Sequence, residues 1–187
     1  HSPEYRERFI ANLAKELPRI PLAKEFETFS KAGRALAALH LGYESVEVWP
    51  NLDMGISPDT DPGPVRKMSW VRRRDPETGK KVADHTRLVY NEKVTVSNIP
   101  ESAQGYVVNG KSPLDWMIDR YQVTTDGKTG ITNDPNEYSD DPRYILDLIG
   151  RLVTVSMRTN EIVAGLPAID EVEHPLNWPV AWKAAMK

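Results

Sequence analysis

Residues 142–164 constrain the fold more than any other stretch of the chain. Ile145, Leu148, Ile149, Leu152, Val153 and Val155 crowd one side of a helix at this spacing, and that side must face a core. Two further helices are expected upstream. In residues 3–16, Ser2 suits the N-cap, Pro3 the first helical position and Glu4 the first turn, while Tyr5, Phe9, Leu13 and Leu17 fall four apart. Pro18 and Pro21 end that helix. Residues 25–43 place Phe26, Phe29, Leu36, Leu39 and His40 on roughly one side, and the small residues of 32–39 allow another element to pack closely.

The middle of the chain reads differently. Val46 to Trp49 resemble a short strand. Residues 50–64 hold Pro50, Pro58, Pro62, Pro64, Gly55 and Gly63, which breaks regular structure and marks a surface loop. Residues 65–74 and 81–90 read as two strands. The connector Asp75-Pro76-Glu77-Thr78-Gly79-Lys80 carries turn chemistry, so a β-hairpin is expected. Val94 to Val96 add a strand that Pro100 stops. Residues 112–121 read as a short helix, capped by Ser112 with Pro113 at its first position and Asp115 at N3 of a capping box. Residues 124–142 are polar and loop-like, and after Pro167 the chain is irregular until a last short helix near Trp182. The fold class expected is α+β, with helices packed around a small antiparallel sheet that bears the hairpin. The whole is read as one domain, 1–187: a helical lead-in (1–45), a strand-rich part (46–100), a helical region (101–165) and a tail (166–187).

Composition narrows the function classes. Hydrophobic residues make up 40% and charged residues 27%, enough for an ordinary core and a solvated surface, so a disordered or collagen-like chain is excluded. No run of about 18 apolar residues exists to span a membrane. Without cysteine there is no disulfide, thiolate metal site or cysteine nucleophile. The chain begins at His1 with no basic-then-apolar leader. The expectation is a cytoplasmic protein, and the missing initial methionine is read as the mark of a piece cut from a longer polypeptide or of a removed tag.

Charge is the strongest functional signal. The net charge of -3 hides an asymmetry: residues 64–93 carry 9 basic and 4 acidic side chains, whereas the segments on either side are acidic. The basic set is Arg66, Lys67, Arg72, Arg73, Arg74, Lys80, Lys81, Arg87 and Lys93. Such a stripe attracts a polyanion. Its alternative is a solvated hairpin whose charges serve solubility. Arginine suits guanine and phosphate, asparagine and glutamine suit adenine, and Asn91, Asn98, Gln104, Asn109, Asn133 and Asn136 supply the latter. Trp70 interrupts the basic run and either packs inward or wedges against a duplex.

Catalytic signals are weak. None of His1, His40, His85 and His174 stands in a metal-protease spacing. His40 reads as a hydrogen-bonded core residue, and His85 sits on the hairpin where it could face phosphate. No phosphate-binding loop, dinucleotide fingerprint or nucleophile elbow occurs. Asp59 with Asp126-Gly127-Lys128 makes a poor nuclease pattern, since the second piece reads as a turn. Asn133-Asp134-Pro135-Asn136 superficially resembles the Asn-Pro-Pro-aromatic motif of DNA amino-methyltransferases, but the second proline is missing and the segment reads as a turn. Asp115, Trp116, Asp119, Arg120 and Tyr121 form a dense polar-aromatic group. Paired carboxylates could hold a proton or metal; the structural reading has Asp119 and Arg120 pairing with loops and Trp116 in the core.

Taken together, the motifs resemble a known family. They are His1 to Arg6 with Leu17 to Pro21, Ala32 to Leu36 through Leu39-His40-Leu41 with Tyr43-Glu44, Tyr106 to Trp116, Asp119 to Val123, and Gly130-Ile131 with Asn133 to Asn136. Over most of residues 1–165 the chain resembles the C-terminal specificity domain, or target recognition domain, of type ISP restriction–modification enzymes, also found in putative helicase/methyltransferase polypeptides. The resemblance implies a sequence-specific reader of double-stranded DNA that has no catalysis and no cofactor of its own. Its partners would be upstream helicase-like and methyltransferase domains of the same polypeptide, whose parent resembles an ATP-dependent nuclease/helicase and an S-adenosylmethionine-dependent DNA adenine methyltransferase. The motif residues Asn109, Trp116, Asp119, Arg120, Tyr121, Asn133, Asp134 and Asn136 read as structural, and the nine hairpin cations as the DNA-binding set. The alternatives are an interdomain coupler or protein-interaction module that touches no bases, with its arginines paired to acidic segments 134–147 or 170–173, and a metal-dependent nuclease.

Overall fold

The structure, a computed structural model, describes residues 2–15 and 23–170. Expectations for Leu17, Pro18, Pro21, Glu171, Glu173, His174 and the helix near Trp182 fall outside those residues. The fold is α+β. The chain divides into two compact units, one of His1–Ala35 with Ile162–Lys187 and one of Leu36–Glu161.

In the first unit, helix α1 spans Pro3–Leu13. Ser2 caps it by accepting from the Tyr5 amide at 3.3 Å, with Pro3 in the first turn as its fixed φ favours. The apolar stripe is real but shallow: Tyr5, Phe9 and Leu13 are half-buried and no residue of α1 is fully buried. The helix bends at Phe9, where φ is -116° and ψ 19°. The carboxylate of Glu4 accepts from the Ile169 amide at 3.0 Å.

Helix α2 spans Phe26–Leu41 and buries only Leu36 and Leu39. Two expectations fail here. Phe26 is 64% exposed, and the small-residue run draws in no close neighbour at Gly33, where a Cβ would meet nothing within 4 Å.

The second unit holds the core. Strands β1 (Ser69–Arg74), β2 (Lys81–Val89) and β3 (Thr95–Val96) form an antiparallel sheet in that order. Helix α3 spans Pro113–Arg120. Its capping box is complete: the Ser112 hydroxyl accepts from the Asp115 amide, and the Asp115 carboxylate accepts from the Ser112 amide. Helix α4, Tyr144–Ala164, is buried on more than one side. Leu146, Gly150, Thr154, Ser156 and Thr159 are inaccessible along with Ile145, Leu148, Ile149, Val153 and Val155. Each large apolar side chain here contributes about 1.5–3 kcal/mol. Ile145, Leu146, Leu148, Ile149 and Val153 join Val65, Met68, Leu88, Tyr90, Val94, Val96, Ile99, Leu114 and Met117 in one cluster.

Residues 46–49 form no strand. They lie against α4: the Trp49 amide donates to the Gly150 carbonyl at 3.2 Å, and the Thr154 hydroxyl to the Glu47 carbonyl at 2.7 Å. The helix surface takes the hydrogen bonds that a neighbouring strand would have taken. Gly150 makes this approach possible, since a Cβ there would lie 2.5 Å from Cγ1 of Val48.

The polar stretch 124–142 holds more structure than expected. Strands β4 (Thr124–Thr125) and β5 (Thr132–Asn133) pair as a second small hairpin, and a 3-10 turn covers Pro135–Glu137. His40 is hydrogen-bonded as expected, with Nε2 2.9 Å from the Thr159 hydroxyl and its ring stacked on Tyr106 at 5.3 Å, but it is half-buried and outside the core cluster.

Candidate nucleic-acid interface

The β1–β2 ribbon is built by its turn. The Asp75 carboxylate accepts from the amides of Glu77 and Thr78 and from the Thr78 hydroxyl, at 3.1, 2.6 and 2.8 Å. These bonds, the Thr78 amide and hydroxyl foremost, hold the Asp75 pKa below its usual value. Gly79, with φ 67°, supplies the left-handed residue that closes the loop. Four rungs follow, from Arg74 opposite Lys81 to Val71 opposite Asp84.

Then the register breaks. Trp70 pairs with Leu88, so His85, Thr86 and Arg87 bulge out opposite one peptide of β1. The Asp84 carboxylate holds the bulge by accepting from the Thr86 hydroxyl at 2.6 Å and its amide at 3.1 Å. The hydroxyl bond is also the main reason the Asp84 pKa is lowered, with Arg73 and Arg87 adding to it.

Trp70 packs inward. It lies against the core and its Nε1 donates to Asp115 Oδ1 at 2.8 Å, while His85 meets its ring edge-on at 5.0 Å. His85 is therefore half-buried packing beside the tryptophan.

All nine cations of the basic set are exposed. Arg66 and Lys67 lie on the lead into β1, Arg72, Arg73 and Arg74 on β1, Lys80 in the turn, Lys81 at the start of β2, Arg87 in the bulge and Lys93 in the turn before β3. Among the described residues none of the nine makes an ion pair within 4 Å. Within the acidic stretch 134–147, Asp147 pairs with Arg143 at 3.2 Å.

A concavity of about 550 Å³ brings Arg66, Lys67 and Lys93 together with Asn91. Asn91 builds its wall: Nδ2 donates to the Pro62 carbonyl at 2.8 Å, and Oδ1 accepts from the amides of Lys93 and Val94. Asn136 fixes the other end of that lead, accepting from the Val65 amide at 2.9 Å and donating to the Val65 carbonyl at 2.8 Å.

The motif residues make contacts within the fold. Asn109, at φ 50°, starts the tight turn that returns Lys111 to Val108. Asp119 pairs with Lys111, and Arg120 and Lys111 cover the ring of Trp116 at 5.5 and 5.1 Å. Trp116 is half-buried on the flank of α3 and outside the core cluster, because its Nε1 donates to the Val108 carbonyl at 2.7 Å. Tyr121 packs against the core and edge-on to Tyr138. Asn133 accepts from the Tyr138 hydroxyl, and Asp134 caps the 3-10 turn at Asn136. The side chains of Asp115 and Asp119 are engaged separately, by Trp70 with Ser112 and by Lys111. Among the described residues no three His, Asp or Glu side chains converge as a metal site.

Sequence reasoning missed the Asn136–Val65 clamp, the Trp70–Asp115 bond, the bulge and the second hairpin. Only the last left a local signal, since Asp126-Gly127-Lys128-Thr129-Gly130 repeats the Asp-x-x-Thr-Gly pattern of 75–79.

The solvent-facing cationic ribbon is the feature that sets this α+β chain apart. Comparison with known proteins makes this specific. The model of the type ISP C-terminal specificity domain matches residues 1–148, and the chain belongs to that family. Two solved structures are similar over 92% of this chain with TM-scores of 0.79. One is a nuclease-deletion mutant of the type ISP restriction–modification enzyme LlaGI in complex with a DNA substrate mimic, 44% identical. The other is the ATP-dependent type ISP enzyme LlaBIII bound to DNA, 43% identical. A third, the DrdV–DNA complex, is 31% identical over 90% of the chain with a TM-score of 0.69. The chain spans 13%, 11% and 17% of those three polypeptides. No curated protein sequence matches it.

Proposed function

We propose that the chain is the DNA target-recognition part of a larger type ISP-like restriction–modification or helicase/methyltransferase polypeptide, and that the β1–β2 ribbon lies on the duplex. In this reading it has no catalysis and no cofactor of its own and works in the cytoplasm. ATP-driven motor, nuclease and S-adenosylmethionine-dependent methyltransferase activities belong to other parts of the same polypeptide. The observation that carries the reading is the set of nine exposed cations with no ion-pair partner among the described residues. Exposed cations outside any ion pair can displace counterions from DNA phosphates. The DNA-bound state of the similar enzymes supports it.

The test is duplex binding by the 187-residue chain, read by gel shift at 50 and 200 mM salt. Affinity should fall on the order of a thousandfold across that range if six or more phosphates are contacted. Changing Arg72, Arg73 and Arg74 together to Glu should abolish the shift while circular dichroism stays unchanged. Wild-type binding by the folded triple variant would take the ribbon out of the interface. Absence of duplex binding by the wild-type chain at 50 mM salt would overturn DNA recognition itself.

A further inference from the structure

The two faces of the ribbon are electrostatically unlike. Side chains alternate along a strand, and directly opposed residues share a face. Arg72 and Arg74 therefore stand on one face with Ala83 and Lys81, their partners in the register. Arg73 stands on the other with Val82, and with Val71 and Asp84 two rungs further on.

On the first face Arg74 is directly opposite Lys81. Like charges so placed repel and destabilise a sheet. Arg72, about 7 Å along the strand, adds a third positive charge, and Ala83 opposite it is too small to cover the guanidinium. No acidic residue of the paired segments lies on this face. Arg74 does donate to the Gly79 carbonyl at 3.4 Å, which leans it toward the turn. At the base of the same face Trp70 docks on Asp115, so the cations begin where the packing stops.

On the second face the balance differs. Asp84 is the diagonal neighbour of Arg73, and Arg73 lies close enough to both Asp84 and Asp75 to favour their ionised forms. Arg87, in the bulge, acts on Asp84 in the same way. Glu77 is in the turn between the strands.

We infer that duplex DNA is met by one face of the ribbon, formed by Arg72, Arg74 and Lys81, and that Arg73 and Arg87 serve the ribbon's own charge balance. The inference rests on the function proposed above. An anion lying along Arg72, Arg74 and Lys81 relieves a repulsion the free protein carries. An anion on the opposite face competes with carboxylates already in place. A two-stranded ribbon fits the major groove, where one face can be presented to phosphates and base edges while the other is turned away.

Two double variants of equal charge separate the faces: Arg72→Ala with Arg74→Ala, and Arg73→Ala with Arg87→Ala. Duplex affinity is measured for each across a salt series, with thermal melting of the free chain alongside. The first double should reduce the slope of log affinity against log salt by about 1.8, two phosphate contacts, and leave melting unchanged or raised. The second should lose less than half that slope and lower the melting temperature. Glutamine in place of alanine repeats either arm if a variant does not fold. Equal slope losses, or the greater loss from the second double, overturn the face assignment while leaving DNA binding intact. A wild-type chain that binds no duplex overturns the parent reading, and this one with it.

Discussion

The molecule contains two hairpins closed by the same turn, and they differ in almost everything else. Asp75 and Asp126 both use Oδ1 to accept from the amides two and three residues on and from the threonine hydroxyl, and Gly79 and Gly130 both take positive φ. Beyond the turn, β1–β2 continues through six register pairs and β4–β5 through two. The first carries Arg72, Arg74 and Lys81 on one face. The second offers Thr124, Thr125, Thr132 and Asn133, and in its turn Asp126 and Lys128 cancel. Turn chemistry thus decides where a ribbon forms. The side chains on its rungs decide what the ribbon meets.

That contrast can be broken most severely by charge. Changing Arg72, Arg74 and Lys81 to Glu should lower duplex affinity by several orders of magnitude, whereas Asp126→Ala, which undoes the second turn, should leave affinity unchanged. Gel shifts of both variants on one duplex check the pair, and equal losses would dissolve the distinction between the hairpins.

The close approach of residues 46–49 to α4 sets the next effect. Gly150→Ala forces a methyl against the stiff side chain of Val48 and should cost about 1–3 kcal/mol in urea unfolding. DNA affinity of the folded fraction should stay the same. The two turn glycines come next. Gly79→Ala and Gly130→Ala meet no neighbour within 4 Å, so each should cost about 1 kcal/mol from φ alone. Only the first should also weaken duplex binding. A fourth variant sharpens the face assignment: Asp84→Asn retains an acceptor for Thr86 but removes a charge beside Arg73 and Arg87. Tightening of duplex binding should be about twofold, the size of one screened charge at a distance. A tenfold gain would mean that those arginines touch the DNA.

The smallest effect is a pH dependence in the body of the fold. Burial lowers the His40 pKa, so the unfolded chain binds the proton more readily. The resulting stability is present above the ordinary histidine value and is lost as pH falls through the folded one. Melting temperature should drop between pH 7 and pH 5, and less so in His40→Gln.

Much of this architecture was legible because it is local. The caps at Ser2 and Ser112, the Asp75–Lys80 turn and the apolar side of α4 all depend on residues within one or two turns of each other. The nine cations were found by type alone, and they are exposed on the ribbon, on the lead into it and in the turn before β3. What escaped depends on partners far away in sequence. Val46 to Trp49 have strand-like composition, yet the carbonyl of Gly150 and the hydroxyl of Thr154 decide their fate. Asn136 grips Val65 across 71 residues. Trp70 turned inward because Asp115 was waiting for its indole N–H. The hairpin 124–133 is the exception: its turn pattern was present, but two short polar strands carry no apolar alternation to announce them.

The most direct test is nuclear magnetic resonance of the labelled chain titrated with a duplex at low salt, observing arginine side-chain Nε–H signals and threonine amides together. The account predicts that the signals of Arg72 and Arg74 shift most, those of Arg73 and Arg87 little, and the amides of Thr124, Thr125 and Thr132 not at all. Shifts concentrated on β4–β5 or α3, with the guanidinium signals of β1 undisturbed, would contradict it.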